Sequence, residues 1–280
     1  MTGERPLDGK VALVTGAGRR RGIGYGIARH LAGLGASVAI VGAGSRSMAG
    51  LDYEAQALGE LHAIGDELAA LGHGRHLAAQ ADIANPEQVG RLLDRIGNEL
   101  GVVEILVNNA GVCPVKPLLE TTFSEWEKTM GVNATGAFVC STEAARRMVA
   151  HGIKGNIVSI ASLSAKEGWP DFGAYTASKF ALLGFTEVFA REMAPHGIRV
   201  NAICPGYIAA GVSEEITNTF AAKLGVSPAE LDRNTVARVP LGRYGTAEDV
   251  AQAVAFLVSP AASYITGQAI NVCGGVMVSH

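Results

Sequence analysis

The sequence predicts an α/β fold of the doubly wound type, in which one parallel sheet carries helices on both faces. Three observations predict it. The chain has 280 residues, 48% of them hydrophobic, which is enough to bury the core of one large domain. Near its start, residues 10–15 (KVALVT) lead through a glycine turn into an apolar-periodic stretch typical of a helix. Short β-rich runs then alternate with helical stretches, a spacing typical of parallel strands.

Seven β-rich runs predict a seven-stranded sheet in a single domain spanning residues 1–280. The predicted strands are residues 10–15, 37–41, 75–81, 103–107, 156–161, 199–204 and 269–273. Helices are predicted after Gly24 and within residues 48–71, and a third begins at Pro86 with Asn85 as its N-cap. A long helix is predicted over 120–150, with an irregularity near Gly131. The last of these helices carries Tyr175 and ends at about Met193.

Composition excludes several classes of protein. The net charge is −3 with both signs mixed along the chain, so the one-sided basic footprint of a nucleic-acid-binding protein is missing. The four cysteines are far apart, which predicts reduced thiols and no metal site. No apolar run is long enough for a membrane span, and the first residues lack the apolar segment of a signal peptide. We therefore expect a soluble, cytoplasmic protein without nucleic-acid or membrane partners.

The glycine turn after the first strand predicts a nucleotide site. Gly16 ends the strand, and Gly22, Ile23 and Gly24 open the helix. A strand, a glycine turn and a helix together aim backbone N–H groups and a helix N-terminus at a pyrophosphate. An ordinary tight turn is the alternative, but the position of this turn at the start of an alternating β/α pattern favours phosphate binding.

The loop after the second strand indicates which dinucleotide is bound. In this fold an Asp or Glu there binds the ribose 2′-hydroxyl of NAD, but here Gly42 holds the place and no carboxylate follows until Asp52. Arg21 in the glycine turn, and Ser45 and Arg46 after the strand, suit a 2′-phosphate instead. NADP is the predicted cofactor, with NAD and solvated arginines as the alternative.

A tyrosine and a lysine four residues apart predict proton-transfer chemistry. On a helix, Tyr175 and Lys179 lie on one face, one turn from each other. A nearby cation favours the phenolate and so brings a tyrosine, whose ordinary pKa is about 10, toward acid–base work at neutral pH. Ser162 ends a predicted strand upstream, where ligands bind in open α/β sheets. An ordinary amphipathic helix is the alternative for the pair by itself.

Taken in order, these motifs carry a family resemblance. The chain resembles the short-chain dehydrogenases/reductases of the single-domain group that contains 3-oxoacyl-carrier-protein reductases and secondary-alcohol dehydrogenases. The resemblance spans nearly the whole chain and rests on Thr15-Gly16, Gly22-Ile-Gly24, Asp82, Asn108-Asn-Ala-Gly111, Asn133, Ser162, Tyr175-x-x-x-Lys179, Pro205-Gly206 and Tyr264-Ile-Thr-Gly-Gln268.

The resemblance implies roles for these residues. Tyr175 is the implied general acid or base, Lys179 holds the nicotinamide ribose, and Ser162 bonds the substrate oxygen. Asn133 is the implied support of a water chain that relays protons through Lys179. The remaining residues implied in cofactor binding are Asp82 and Ile83 at the adenine, Asn109 near the ribose with Ala110 and Gly111, Pro205 and Gly206, and Ile208 beside the nicotinamide carboxamide.

Two departures from the family pattern affect cofactor binding. Five residues instead of three separate Gly16 from Gly22, so the arginine that approaches a phosphate is not determined. Ala209 and Ala210 stand where the family often has a threonine that fixes the carboxamide.

Two further segments predict a lid and an interface. Residues 209–238 are longer than a crossover needs and contain two helix-start patterns, at Ser213 and Ser227, so we expect a substrate lid, with a fixed surface helical pair as the alternative. The helix that carries Tyr175 is apolar around much of its circumference. The resemblance implies that this helix and the 120–150 helix form a subunit interface, commonly in a homotetramer, with deep burial within one subunit as the alternative.

The predicted function is oxidoreduction. The enzyme is expected to transfer a hydride between NADP(H) or NAD(H) and a small-molecule secondary alcohol or ketone, with Tyr175 as general acid or base. The alternatives are a catalytically silent nucleotide-binding scaffold on the same fold, and a lyase, epimerase or dehydratase that recycles its cofactor. Substrate identity does not follow from the sequence.

Overall fold

A single parallel sheet organises the protein. The structure is a computed structural model that describes residues 5–42, 58–210, 217–218, 220–223 and 225–278. Seven strands pair in the order β3-β2-β1-β4-β5-β6-β7, every neighbour parallel. They are β1 (Val11–Thr15), β2 (Ser37–Gly42), β3 (His76–Gln80), β4 (Ile105–Asn108), β5 (Asn156–Ile160), β6 (Arg199–Pro205) and β7 (Ala269–Val272).

Helices connect the strands. Within the described residues they are α1 (Ile23–Gly33), α2 (Leu58–Ala69), α3 (Pro86–Glu99), α4 (Phe123–Met130), a π-helical turn (Gly131–Thr135), α5 (Gly136–Ala150), α6 (Gly173–Met193), α7 (Pro228–Ala237) and α8 (Ala247–Val258). Residues 217–218 and 220–223 are also helical.

The two faces of the sheet have separate hydrophobic cores. On one face α1, α2 and α8 pack on the sheet through buried residues such as Ile27, Ile64 and Val254. On the other face α3, α5 and α6 contribute residues such as Ile96, Met148 and Phe189. Along β1, Leu13 and Val14 belong to opposite cores, because successive strand residues point to opposite faces. Helices on both faces of a parallel sheet confirm the predicted doubly wound, Rossmann-type fold.

Most predicted elements are present, with ends that differ by one or two residues. The Asn85 side chain accepts from the Gln88 N–H, and the Ser227 side chain from the Glu230 N–H, so both predicted N-caps form. The irregularity predicted near Gly131 is the π-helical turn, which divides the 120–150 stretch into α4 and α5. Of the helix predicted within 48–71, the structure describes α2. Residues 43–57, and Ser213 in the predicted lid, lie outside the described residues.

Two observations on the described residues concern membrane spans and the state of the cysteines. In that part of the chain no helix combines the length and hydropathy that a membrane span requires. All four cysteines are free thiols; Cys113, Cys140 and Cys204 are buried and Cys273 is half-buried.

Candidate active site

The site lies at the carboxyl ends of β1, β4 and β5. Strands β1 and β4 are neighbours in the sheet, and the strand order reverses between them. A crevice at such a switch point is where open α/β sheets bind ligands. Gly16, Asn109 and Ser162 come directly after or close to the ends of these three strands, so the topology brings together residues that are far apart in sequence.

The glycine turn after β1 is shaped by contacts that exclude side chains. Gly16 has a positive φ of 67°, and a Cβ there would lie 2.5 Å from the Ala110 Cα. A Cβ on Gly24 would lie 2.3 Å from the Asn109 Nδ2. Glycine is therefore required at both positions, because only a residue without a side chain lets the turn pack this closely against the segment after β4.

Asn109 and Thr15 lock that turn onto β4. The Asn109 Nδ2 donates to the Thr15 carbonyl at 2.9 Å and to the Gly16 carbonyl at 3.1 Å. The buried Thr15 Oγ1 accepts from the backbone N–H groups of Asn109 and Ala110, at 3.1 Å each. Asn109, expected near the ribose, thus uses its amide to hold the glycine turn. Thr15 had no predicted role; its hydroxyl at the end of a strand beside the glycines was the available signal.

The N-terminus of α1 is suited to an anion. Its N-cap, Gly22, is extended at φ −91° and ψ 154°, and no side chain caps the helix there. The first backbone N–H groups of a helix, which include those of Ile23 and Gly24 here, carry the positive end of the helix dipole. A pyrophosphate supplies the missing acceptors, so the residues present fit a dinucleotide.

The three arginines of the glycine turn do not have the same surroundings. The Arg20 Nε donates to the Glu67 Oε1 of α2 at 2.7 Å, and the Arg20 backbone N–H donates to Glu60. The Tyr25 hydroxyl also donates to Glu67, at 2.9 Å, and these two bonds hold the pKa of Glu67 below its ordinary value. Arg20 is thus tied to α2, which braces the two extra residues of the loop.

Arg21 lies at a cleft of about 770 Å³ between the glycine turn and described residues of the 209–238 segment, a cleft that Arg20 also borders. Ala209, Ala210 and Thr217 line the same cleft. Among the predicted phosphate ligands, Arg21 is therefore the one at this cleft, while Ser45 and Arg46 lie outside the described residues.

Asp82 and Ile83, predicted at the adenine, begin the turn into α3. The Asp82 Oδ1 accepts from the Ala84 N–H at 3.0 Å, and the Asp82 N–H donates to the Gln88 Oε1 at 2.9 Å. Ile83 is buried. These bonds fix the turn at the carboxyl end of β3, two strands away from β1 on one side of the switch point.

The segment after β6 is held by a short β-bridge. The Gly206 N–H donates to the Val272 carbonyl at 3.0 Å, directly after Pro205 ends the strand. Ile208 then bridges to Gly245, and its buried side chain belongs to the core beneath α8. These bonds fix the course of the segment in which Ile208 is predicted to lie beside the nicotinamide carboxamide.

Tyr175 and Lys179 share one turn of α6, as predicted. The buried Lys179 Nζ lies 5.6 Å from the centroid of the Tyr175 ring and donates to the Ile160 carbonyl at 2.8 Å. Burial disfavours the ammonium form and lowers the pKa of Lys179 to about 8. A buried cation one turn from a phenol stabilises the phenolate more strongly than it would in water.

Ser162 lies beside this helix. It follows β5 in an extended conformation, and the 3₁₀ turn that it caps, Leu163–Ala165, packs against α6. The Ser162 Oγ accepts from the Ser164 N–H at 3.1 Å. Accepting that bond leaves the hydroxyl proton to be donated to another oxygen.

Asn133 sits in the π-helical turn and is buried. Its Oδ1 accepts from the Val112 N–H at 2.8 Å, and its Nδ2 donates to the Val112 carbonyl and to the Ser178 Oγ, at 2.9 Å each. The side chain therefore anchors the turn to the segment after β4, beside Gly111, where an added Cβ would lie 3.6 Å from the Lys179 Nζ.

Two thiols near Lys179 add no charge to the site. Burial raises the pKa of Cys113 to about 12, and it also raises the pKa of Cys204. Both are neutral thiols at physiological pH, so neither is an activated nucleophile. Of these three ionisable groups, Lys179 is thus the one that can carry a charge near Tyr175 at physiological pH.

Comparisons with known proteins cover nearly the whole chain. The family model described as enoyl-(acyl carrier protein) reductase matches residues 16–277. A short-chain dehydrogenase/reductase of Armillaria gallica is 38% identical over 96% of this chain and 97% of its own. A 3-oxoacyl-[acyl-carrier-protein] reductase of Synechocystis is 35% identical over 97% and 98%. A variant of actinorhodin polyketide ketoreductase, solved with NADPH, superposes with a TM-score of 0.87 at 33% identity, covering 96% of this chain and 98% of its own.

The fold and the site define a nucleotide-dependent oxidoreductase, with a glycine turn at the switch point of a doubly wound sheet and a tyrosine–lysine pair at the strand ends. The extent of the family match and the identity to these relatives make the assignment more specific. The chain belongs to the short-chain dehydrogenase/reductase family and is an NAD(P)-dependent enzyme that acts on CH–OH and C=O groups.

Proposed function

We propose that this chain transfers a hydride between NADP(H) and a secondary alcohol or ketone, with Tyr175 as general acid and base. The observation that carries the proposal is the buried Lys179 ammonium, 5.6 Å from the Tyr175 ring and one helical turn away. Bound nicotinamide supplies or accepts the hydride. In reduction, Tyr175 gives its proton to the carbonyl oxygen, and Lys179 stabilises the phenolate left behind. Ser162 donates to the same oxygen as negative charge develops there.

The other members of the site would hold the cofactor. The turn of Gly16, Gly22 and Gly24 presents backbone N–H groups to the pyrophosphate. Lys179 would reach the nicotinamide ribose, and the segment after Gly206 the carboxamide. Asp82 with Ile83, and Asn109 with Ala110 and Gly111, would border the adenine and the riboses.

A screen of ketones and alcohols tests the proposal. Purified protein with NADPH is mixed with small ketones and with 3-oxoacyl thioesters, and the nicotinamide absorbance is followed. We expect loss of NADPH with formation of one equivalent of alcohol. Product formed without net consumption of cofactor would instead indicate a lyase or epimerase, and tight NADPH binding without turnover of any carbonyl substrate would indicate a scaffold.

We propose NADP rather than NAD because arginine side chains after the first two strands could bind its 2′-phosphate. Arg46→Ala should raise the Kd for NADP about 10–100-fold and that for NAD by less than about twofold, because a charge-assisted bond to a 2′-phosphate is lost. Fluorescence titration with each cofactor measures both constants. Arg95→Ala, which removes an exposed arginine paired with Glu99 on α3, is the control. An equal loss for NADP and NAD in Arg46→Ala would contradict this assignment.

We propose further that residues 209–238 form a lid over the substrate. Three contacts between described residues of the lid and segment 169–172, just before α6, support this. Arg238 lies 5.5 Å over the Trp169 ring, Lys223 pairs with Asp171, and Phe220 stacks on Phe172 with centroids 5.5 Å apart. Phe172 also lies 6.3 Å from the Tyr175 ring, so the lid meets the catalytic helix through an aromatic side chain.

Removing the aromatic contact should weaken substrate binding. Phe220→Ala is expected to raise KM for the ketone about 2–10-fold, since an aromatic pair contributes about 0.5–1.5 kcal/mol beyond its buried area. Kinetics at saturating NADPH measure KM, and hydrogen exchange across 217–238 reports how often the lid opens. Phe256→Ala on α8 is the matched control. Unchanged KM and exchange in Phe220→Ala would indicate a fixed surface element instead.

A homo-oligomer is the assembly we propose, with a tetramer as the expected form. The long helices α5 and α6 meet through Phe138 and Phe185, whose rings pack edge to face at 5.9 Å. Large apolar side chains on these helices are nonetheless exposed: Phe138 by 52%, Phe180 by 46% and Val188 by 57%. A second copy of the same face would cover them in a symmetric interface.

The oligomer is tested by its mass in solution. Sedimentation equilibrium should give a multiple of the chain mass, and Phe138→Lys should shift the distribution toward the single chain, because a charge buried at an interface is costly. Leu119→Lys, in an exposed turn, should leave the mass unchanged. A wild-type protein that sediments as a single chain would refute the proposal.

The substrate class is proposed from the chemistry of the site, and the location from the composition of the chain. A small carbonyl or alcohol compound is the partner that a site of this chemistry binds. The cytoplasm is our proposed location, on the basis of the mixed charge and the lack of long apolar runs in the sequence. Fractionation of cells that express the protein tests this location.

A further inference from the structure

One buried hydroxyl joins the two helices that carry the candidate catalytic residues. Ser178 lies on α6 between Tyr175 and Lys179 and is fully buried. Its Oγ accepts from the Asn133 Nδ2 at 2.9 Å and donates to the Tyr175 carbonyl at 2.6 Å. The result is a continuous chain of hydrogen bonds from the π-helical turn to the backbone of the tyrosine.

The two ends of that chain are fixed in different ways. Asn133 is held by the Val112 backbone through two bonds, so its position follows the end of β4. Tyr175 lies in the first turn of α6, and its carbonyl receives the Ser178 hydroxyl proton from one turn farther along the helix. The two bonds of Ser178 therefore connect the first turn of α6 to the π-helical turn and, through Asn133, to the segment after β4.

We propose that Ser178 is a positioning residue, which holds the backbone of Tyr175 at a fixed distance from Lys179 through Asn133. This inference rests on the proposed function of Tyr175 and adds a residue that does not touch the reacting atoms. Small displacements at a reacting group are costly, and about 1 Å lowers rates by about a hundredfold. A buried hydroxyl that both donates and accepts is a suitable constraint, because losing it leaves one of the two Asn133 amide N–H groups without its acceptor.

Other hydroxyls on α6 do not have this arrangement. Thr176 Oγ1 and Thr186 Oγ1 are buried without a hydrogen-bond partner among the described residues. Thr186 lies on the same helix as Ser178, two turns farther on, and is equally buried. Thr186→Val removes such a hydroxyl at constant volume, which makes it a matched control for the loss of a buried hydroxyl from α6.

Removing the Ser178 hydroxyl should change both rate and pH dependence. In Ser178→Ala the Tyr175 turn relaxes away from Lys179, and Coulomb stabilisation of the phenolate weakens with distance. The titratable groups known to face Lys179 are Cys113 and Cys204, both neutral, so they do not replace this effect. We expect kcat to fall about 10–100-fold and the rising limb of the alcohol-oxidation pH profile to move upward by about half a unit or more.

The experiment compares three variants with wild type, whose ketone reduction is measured first and tests the proposed function separately. Ser178→Thr, whose hydroxyl can form the same bond to a carbonyl one turn back, should keep the wild-type profile. Thr186→Val should keep it as well. The Kd for NADP should stay within about twofold in all three, because none removes a group from the cofactor site.

A readout without turnover completes the test. The phenolate absorbance of each protein is titrated with and without Tyr175→Phe, so that the difference reports this phenol alone. The difference titration of Ser178→Ala should shift to higher pH than that of wild type. If Ser178→Ala fails to fold, Ser178→Cys, which keeps the volume but is a weak donor, carries the same expectation. A wild-type titration and pH profile in the folded Ala or Cys variant would overturn the inference.

Discussion

Replacing Tyr175 with phenylalanine should lower kcat by about 10²–10⁴-fold in both directions and leave the Kd for NADP(H) within about threefold. The phenol is the one group at the site that can give a proton to the substrate oxygen while Lys179 stabilises the resulting charge. Phenylalanine keeps the ring and its contact with Phe172, whose centroid lies 6.3 Å away, so packing is preserved. Steady-state kinetics with a reducible ketone, together with cofactor titration, measure both quantities.

Tyr264→Phe is the matched control for this experiment. Tyr264 is fully exposed near β7, and losing its hydroxyl should change neither constant. The assignment of Tyr175 fails if Tyr175→Phe turns over ketone at a rate close to wild type. It also fails if the variant loses cofactor affinity as steeply as it loses activity, because the tyrosine would then serve binding rather than proton transfer.

Local sequence patterns predicted the fold and the reaction type well. The central strands are short buried runs in which neighbouring residues such as Leu13 and Val14 face opposite cores, so apolar runs of the right length are sufficient to locate them. The four-residue spacing of Tyr175 and Lys179 likewise defines a shared helical face by itself. Caps such as Asn85 are also local, since they involve residues three positions apart.

The bonds that organise the site are long-range, and the sequence did not reveal them. Thr15 bonds to Asn109, 94 positions away, and Asn133 bonds to Ser178 across 45 positions. Arg20 is held by Glu67, 47 positions away, so three consecutive arginines that look alike in sequence differ in surroundings. Partners of this kind depend on which strand ends the sheet places side by side, and the order of strands along the chain does not specify that.

The burial of Lys179 is a further consequence of the fold. As a lysine on an amphipathic helix it could equally have been solvated. In the structure it is enclosed and donates to the Ile160 carbonyl at the end of β5, and burial lowers its pKa to about 8 from an ordinary 10.5. The protein thus keeps a buried ammonium group that lowers its stability, at a position next to Tyr175. Buried charges that lower stability are typical of functional sites.

Lys179→Met should abolish a rise of stability with pH that the wild-type protein shows between about pH 8 and 10.5. Below pH 8 the lysine is protonated in both states, and the folded state carries the full cost of the buried ammonium. Between the two pKa values the unfolded chain binds more protons than the folded chain, so stability increases with pH. Above the unfolded value the amine is neutral in both states and the cost is gone. The difference between the folded pKa of about 8 and the ordinary value of 10.5 corresponds to about 3 kcal/mol of unfolding free energy.

Urea unfolding of the cofactor-free protein at several pH values measures the effect, read as wild type minus variant. The buried thiol Cys140, whose raised pKa of about 12 opposes the trend above pH 9, is present in both proteins and cancels. The raised pKa of Cys113, also about 12, rises further in Lys179→Met because a nearby positive charge is lost, so this thiol adds slightly to the difference above pH 9. Lys166→Met is the control, because this half-buried lysine also donates to a backbone carbonyl, that of Ala269, at 2.8 Å. We expect Lys166→Met to keep the rise of stability with pH and Lys179→Met to lose it. The kcat of Lys179→Met should also fall by about a hundredfold or more. If the rise persists in Lys179→Met, Lys179 is charged in the folded protein up to its ordinary pKa, and a desolvated cation cannot be the reason that Tyr175 works near neutral pH.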